Sequence, residues 1–151
     1  SENLSVLENR LHEAKEKGAD LIVTPEQTLL MAKNKDSLFE NISYADKDFG
    51  LRELRVIVKR VGAFVIVGSI SIKYNEHLAL NRTYAFNPDG DIIGFLNADD
   101  FYNPGALSLV NNYFINNQID FLFGSVKKYK LMHGYYRFLK DKDRLLFLHC
   151  H

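Results

Sequence analysis

The sequence predicts an α/β layer structure. Apolar residues recur at helical spacing in two separate stretches, and short runs of β-branched and aromatic residues stand between and after them. A Pro-Asp-Gly turn signal then joins two of those runs into a hairpin. From the first apolar run onward the order is strand, helix, strand, strand, strand, which an α/β layer accommodates.

The elements follow in order. Leu4, Leu7, Leu11 and Ala14 form one face of a helix, with Glu8, Arg10, Glu13 and Lys15 between them. Gly18 is its expected C-cap. Leu21-Ile22-Val23 reads as a buried strand that runs into Thr24-Pro25. Pro25 has no N–H to donate, so the ladder stops there. Residues 30–47 are mixed and polar and read mostly as loop. A second amphipathic helix carries Leu51, Leu54, Ile57, Val58 and Val61 on one face and Arg52, Glu53, Arg55, Lys59 and Arg60 on the other, and Gly62 ends it. Residues 64–72 are a β-forming run interrupted by Gly68-Ser69. Residues 78–86 are a further strand, Pro88-Asp89-Gly90 a turn, and 91–95 the returning strand, so 78–95 reads as a hairpin. Beyond it, Asn103 is the expected N-cap and Pro104 the first turn of a helix carrying Leu107, Val110, Asn111 and Phe114. Residues 119–123 read as one more strand.

Composition sets the outer bounds. At 151 residues the chain is at most one ordinary domain. Its apolar fraction of 46% and charged fraction of 25% are those of a globular protein with room for a core. Nineteen basic and nineteen acidic residues cancel, which removes any bulk electrostatic case for nucleic acid or a membrane surface as a partner. No apolar run is long enough to span a bilayer, and no signal-peptide pattern is present. Cys150 is the single cysteine, so no internal disulfide forms, and a reducing, cytoplasmic location is expected. The chain opens on Ser1 rather than methionine, which points to a fragment or a processed start.

Glu26 is the residue that carries chemistry in the first half. Its carboxylate stands at the carboxyl end of a strand, where α/β proteins usually place their sites. The bland alternative is a solvated loop carboxylate or a helix-start residue. Four pieces in order widen the context: the helix leading into G-A-D-L-I-V-T-P-E; Ala63 to Ser69, ending in I-V-G-S; Asn81-Arg82-Thr83-Tyr84; and Phe86-Asn87-Pro88-Asp89-Gly90-Asp91-Ile92-Ile93. Over residues 3–95 this resembles the carbon–nitrogen hydrolases of the nitrilase superfamily. The resemblance implies an incomplete nitrilase-like α/β sandwich layer, a small amide or nitrile as substrate, no cofactor, and a homo-oligomer paired through helices. It also implies a Glu–Lys–Cys triad, in which Glu is the general base, Lys stabilises developing negative charge and Cys attacks the carbon. Glu26 matches the Glu. Ala98 stands where the Lys belongs, and no basic residue occurs between Arg82 and Lys127. Cys150 is the available nucleophile, yet His149 and His151 flank it in place of the family's C-Y-D-x-R-F-P context. Its other reading is a small buried or terminal thiol. The His-Cys-His run lacks the spacing of a preformed metal site.

From residue 94 the chain changes character. Ile93 to Asp100 is an apolar strand ending in adjacent carboxylates, followed by Pro104-Gly105-Ala106-Leu107. Residues 94–136 resemble family-two glycosyltransferases, which implies a strand–helix–strand piece of a nucleotide-sugar transferase fold. By that resemblance Asp99 and Asp100 would hold Mg or Mn on the diphosphate of a sugar donor, since such an ion takes hard oxygen ligands. Asn97 stands where the commoner form of the motif has its first Asp. The alternative for Asp99 and Asp100 is ordinary carboxylates ahead of a helix. The tail carries Lys127, Lys128, Lys130, Arg137, Lys140, Lys142 and Arg144, either a solvated basic surface or a phosphate-facing patch.

The expected division is therefore 1–93, nitrilase-like, and 94–151, glycosyltransferase-like with a basic tail, joined without a Gly/Ser/Pro spacer as in a chimera. Three functions stand at this point: a carbon–nitrogen hydrolase fragment, inactive for want of the Lys and a well-placed Cys; a metal-dependent glycosyltransferase fragment; and a non-catalytic fusion.

Overall fold

The computed structural model describes residues 2–97, 102 and 104–117, and the backbone of 128–132 and 135–139. The chain divides into two compact units, Ser1–Phe101 and Tyr102–His151.

In the first unit the elements are α1 (Glu2–Glu16), β1 (Leu21–Val23), α2 (Lys35–Asn41), α3 (Phe49–Val61), β2 (Phe64–Lys73), β3 (Ala79–Phe86) and β4 (Ile92–Asn97). The strands form one sheet in the order β1-β2-β3-β4. β1 and β2 are parallel, as the α3 crossover requires, and the other two pairs are antiparallel. The expected hairpin is β3–β4. Its returning strand continues to Asn97, so the expected seam between 93 and 94 falls inside β4.

α1 and α3 share one core with one face of the sheet. The α3 stripe read from the sequence is the stripe that is buried: Leu51, Leu54, Ile57, Val58 and Val61. It meets Leu4 and Leu11 of α1, Val65, Val67, Ile70 and Ile72 of β2, and Tyr84 and Phe86 of β3. Each such aliphatic side chain, fully buried, contributes about 1.5–3 kcal/mol. Asp48 caps α3 by accepting from the Leu51 N–H at 2.8 Å, and α1 closes as the Gly18 N–H donates to Lys15 O and the Ala19 N–H to Ala14 O. The β3–β4 turn is held against α3, where Arg55 Nε donates to Gly90 O and Arg55 Nη2 to Asp91 Oδ1. Gly90 has φ +81°, and a Cβ there would fall on the Arg55 carbonyl oxygen.

Two of these expectations are corrected and one is filled in. β1 is not a buried strand: Leu21 is 56% and Val23 63% exposed, and only Ile22 packs on the core. The reason is position, because β1 is an edge strand whose core-side neighbours lie on one face only. The stretch 30–47 is mostly loop, as expected, around one short helix. It contains α2, started by Asn34, whose side chain accepts from the Ser37 N–H at 2.9 Å. α2 buries no residue, so it leaves no apolar stripe to read. Finally, Gly68-Ser69 does not split β2; the strand continues through a register shift between Val67 and Ile70, a bulge.

In the second unit, α4 (Ala106–Asn116) starts two residues later than expected. Gly105, at φ +81°, is its N-cap in place of Asn103, and no side chain caps it. The strand expected at 119–123 lies outside the described residues. β5 (Lys128–Met132) and β6 (Tyr135–Leu139) pair antiparallel, from Lys128 opposite Leu139 to Met132 opposite Tyr135.

Candidate functional site

The loop after β1 is built by polar side chains. The Thr24 N–H makes the last ladder bond, to Ile66 O at 2.9 Å, and Pro25 ends the pairing. From there the chain docks on the β2 bulge. The Gln27 N–H donates to Ser69 Oγ at 2.8 Å, and the Thr28 N–H to Ser69 O at 3.0 Å. Gln27 takes up the reversal in a left-handed conformation, φ 53°.

A line of hydroxyls runs through the loop. The Gly68 N–H donates to Thr24 Oγ1 at 3.1 Å, and Thr28 Oγ1 donates to Pro25 O at 2.6 Å. Thr24 Oγ1 and Thr28 Oγ1 lie 2.7 Å apart. Each hydroxyl has one proton. Thr28 has committed its own to Pro25, so Thr24 donates to Thr28. All the bonds then run in one direction, and both buried residues, Thr24 and Ser69, are satisfied.

Gly68 is required by closeness. A Cβ there would clash with the Thr24 carbonyl oxygen and lie 2.6 Å from Pro25 carbonyl atoms. Only a residue without a side chain lets the two backbones approach in this way.

Glu26 stands at the crest of this loop. Asn81 Nδ2 donates to its Oε1 at 2.7 Å, across 55 residues of sequence. Asn81 sits on β3 opposite Ser71, and two residues on, Thr83 Oγ1 donates to Gly68 O. Side chains alternate along a strand, so Asn81 and Thr83 share the face opposite that of Tyr84 and Phe86. Glu26 thus lies on the side of the sheet turned away from α1 and α3. In the sequence Gly68-Ser69 stands out as an interruption of a β-forming run, and both it and Asn81-Arg82-Thr83 as parts of a family resemblance. Their physical role, docking the loop and holding the carboxylate, has no local signal in the sequence.

The remaining candidates are not brought to Glu26 by the described residues. Ala98, Asp99, Asp100 and Cys150 lie outside them. Asn97 is engaged elsewhere: its Oδ1 accepts from Arg82 Nε at 3.0 Å, and the Arg82 guanidinium stacks 4.5 Å from the centre of the Phe95 ring. Among the described residues no three His, Cys, Asp or Glu side chains gather as a metal site. A cleft of about 390 Å³ opens between α1 and β1, lined by Val6, Leu7, Arg10, Ile22, Pro25 and Thr28 among others, but Glu26 does not line it. Burial raises the Tyr84 phenol above its ordinary range, on the core side of β3. No described helix is long and apolar enough to cross a membrane.

No protein-family model and no curated protein matches this chain. Solved structures do. An amidase of the nitrilase superfamily from Nesterenkonia AN1 superimposes with a TM-score of 0.56 at 19% identity, over 70% of this chain and 40% of the amidase. This is part of a nitrilase-like fold. A variant of the same enzyme carrying acrylamide on its active-site cysteine matches 89% of this chain and 48% of its own, with a TM-score of 0.57 at 16% identity. Another variant, in complex with butyramide, matches over 71% of this chain and 40% of its own, with a TM-score of 0.56 at 19% identity. The chain therefore spans less than half the length of these amidases. The likeness supports the nitrilase-like α/β fold expected from the sequence and carries nothing for a glycosyltransferase segment or a chimera.

Proposed function

We propose that this chain is a carbon–nitrogen hydrolase-like piece that presents Glu26 as its acid–base carboxylate toward a small amide or nitrile. The observation that supports it is the bond from Asn81 to Glu26 above a loop docked on Gly68 and Ser69. Such a carboxylate would take the proton of an attacking thiol and return it to the leaving amine. A thiol attack on an amide also needs a group that stabilises the oxyanion. Ala98 stands where the resemblance calls for that lysine, and Cys150 is the one thiol in the sequence. The chain by itself is therefore expected not to turn over amides. Removing one member of a catalytic unit typically costs orders of magnitude in rate.

The test is hydrolysis of acetamide, butyramide and small nitriles by the full chain. Absence of turnover, with butyramide still shifting the resonances of residues 24–28 and 81, fits the proposal. Turnover that is lost in both Glu26→Gln and Cys150→Ala would overturn the inactive reading. Absence of any shift would overturn the amide-binding reading.

A further inference from the structure

We infer that Asn81 is the positioning residue of Glu26, and that Asn81 and Thr83 form a two-point clamp. Asn81 holds the carboxylate, and Thr83 holds the bulge on which the carboxylate's loop rests. The inference concerns the same Glu26 as the proposed function and rests on that reading for its chemical meaning.

The geometry divides the labour. The loop backbone is fixed by Ser69 and by the Thr24–Thr28 hydroxyls, so it needs nothing from Asn81. The Glu26 side chain has three further rotatable bonds, and Asn81 Nδ2 is the donor that fixes where its oxygens lie. β3 is a suitable base for this task because it is paired on both edges, with Ser71 beside Asn81 and Leu96 beside Thr83. Sites carried by strands are held more closely than sites carried by loops.

The chemistry of the amide matters too. An ammonium in the same place would neutralise the carboxylate, whereas a neutral amide orients it and leaves its charge free for proton transfer. Asn81 accepts a penalty to do so. Its Oδ1 is buried and has no hydrogen-bond partner among the described residues. Unsatisfied buried acceptors are rare and call for a reason. Here the reason is that turning the amide to satisfy Oδ1 would take Nδ2 away from Glu26 and set an oxygen against an oxygen.

The experiment is side-chain NMR on the full chain with ¹³C-labelled glutamate, without substrate. In the wild type the Glu26 methylene couplings should report one rotamer. In Asn81→Leu they should average, while the backbone amide shifts of residues 24–28 hold. In Thr83→Val the pattern should reverse: the Gln27 and Thr28 amides should exchange faster by roughly an order of magnitude, as loss of one hydrogen bond dictates. Glu26→Ala reads the same bond from the other side without touching the sheet, and it should release the Asn81 side-chain amide protons to solvent. Glu26 couplings unchanged in Asn81→Leu would overturn the inference. So would collapse of the loop backbone in that variant, since Asn81 would then be a structural strut. If Asn81→Leu does not fold, protected Asn81 protons in Glu26→Ala would overturn it alone. These readouts need no amide ligand, so failure of butyramide to bind would strike the functional reading and leave the clamp standing.

Discussion

The Gly68 N–H donates to the Thr24 hydroxyl across 44 residues, and no side chain stands between the two backbones. The strand end that carries Glu26 is thereby fastened to the neighbouring strand at the one place where that strand bulges.

Gly68→Ala is expected to break this fastening. The added methyl meets backbone atoms, which cannot swing aside as a flexible side chain would. A destabilisation of about 1–3 kcal/mol is expected, as for other overpacking changes. Urea denaturation gives the size, and amide exchange should place the loss in residues 24–28. Wild-type stability and loop protection would contradict the close approach.

Core and edge should respond oppositely. Leu54 is fully buried under the sheet, and Leu54→Ala is expected to cost about 2–5 kcal/mol. Val23 is exposed on the sheet edge, and Val23→Thr should stay within about 0.5 kcal/mol. Equilibrium unfolding of the two variants side by side decides it. A large loss at Val23 would mean that its face is covered.

A pH effect is expected at the far end of β2. Lys73 Nζ donates to Glu76 Oε2 at 2.7 Å, and the Tyr44 hydroxyl donates to Glu76 Oε1 at 3.0 Å. The Lys73 and Tyr44 hydrogen bonds hold the Glu76 carboxyl below its usual range. Its contribution is present above the ordinary carboxylate range and is lost as pH falls through the depressed folded-state value. The hydrogen bond to Glu76 raises Lys73, so its contribution is full below the ordinary lysine range and is lost as pH rises through the raised value. The Tyr44 phenol is raised likewise, by the same carboxylate. Protection of the Tyr74 and Leu78 amides should therefore be flat near neutrality and weaken at both extremes. Glu76→Gln should remove the acid limb; an acid limb that persists would assign the effect elsewhere.

Divalent metal and a nucleotide sugar should not bind with useful affinity. Two adjacent carboxylates leave most of the coordination shell of Mg²⁺ to water, and such sites depend on substrate phosphates to complete it. Asn97, the third polar residue of that motif, already accepts from Arg82. Isothermal titration with a uridine diphosphate sugar, with and without Mn²⁺, measures this. Micromolar, metal-dependent binding abolished by Asp99→Asn or Asp100→Asn would instead establish the glycosyltransferase reading.

Much of the fold was legible because periodicity reports burial. The α3 stripe declares its five buried residues, and Pro88-Asp89-Gly90 declares the β3–β4 turn. What stayed hidden had no periodic signature. α2 rests on the Asn34 cap and buries nothing, and Leu21 and Val23 look like core residues although they line an edge. The site was half legible. Pro25 and Glu26 mark a strand end by local rules alone, but nothing near residue 26 says that Ser69, Asn81 and Thr83 will meet it. Those partners are fixed by strand register, which is a property of the whole sheet.

That dependence sets an order in time. Glu26 leaves the ribosome 55 residues ahead of Asn81, and its neighbour Gln27 leaves 42 ahead of the Ser69 hydroxyl that fixes the loop. Until β2 and β3 have been made and paired, the carboxylate is an ordinary solvated side chain, and closing loops of that length comes late because chain entropy opposes it. The orientation of this carboxylate therefore waits on completion of the sheet, and a chain truncated before residue 81 would carry Glu26 with nothing to aim it.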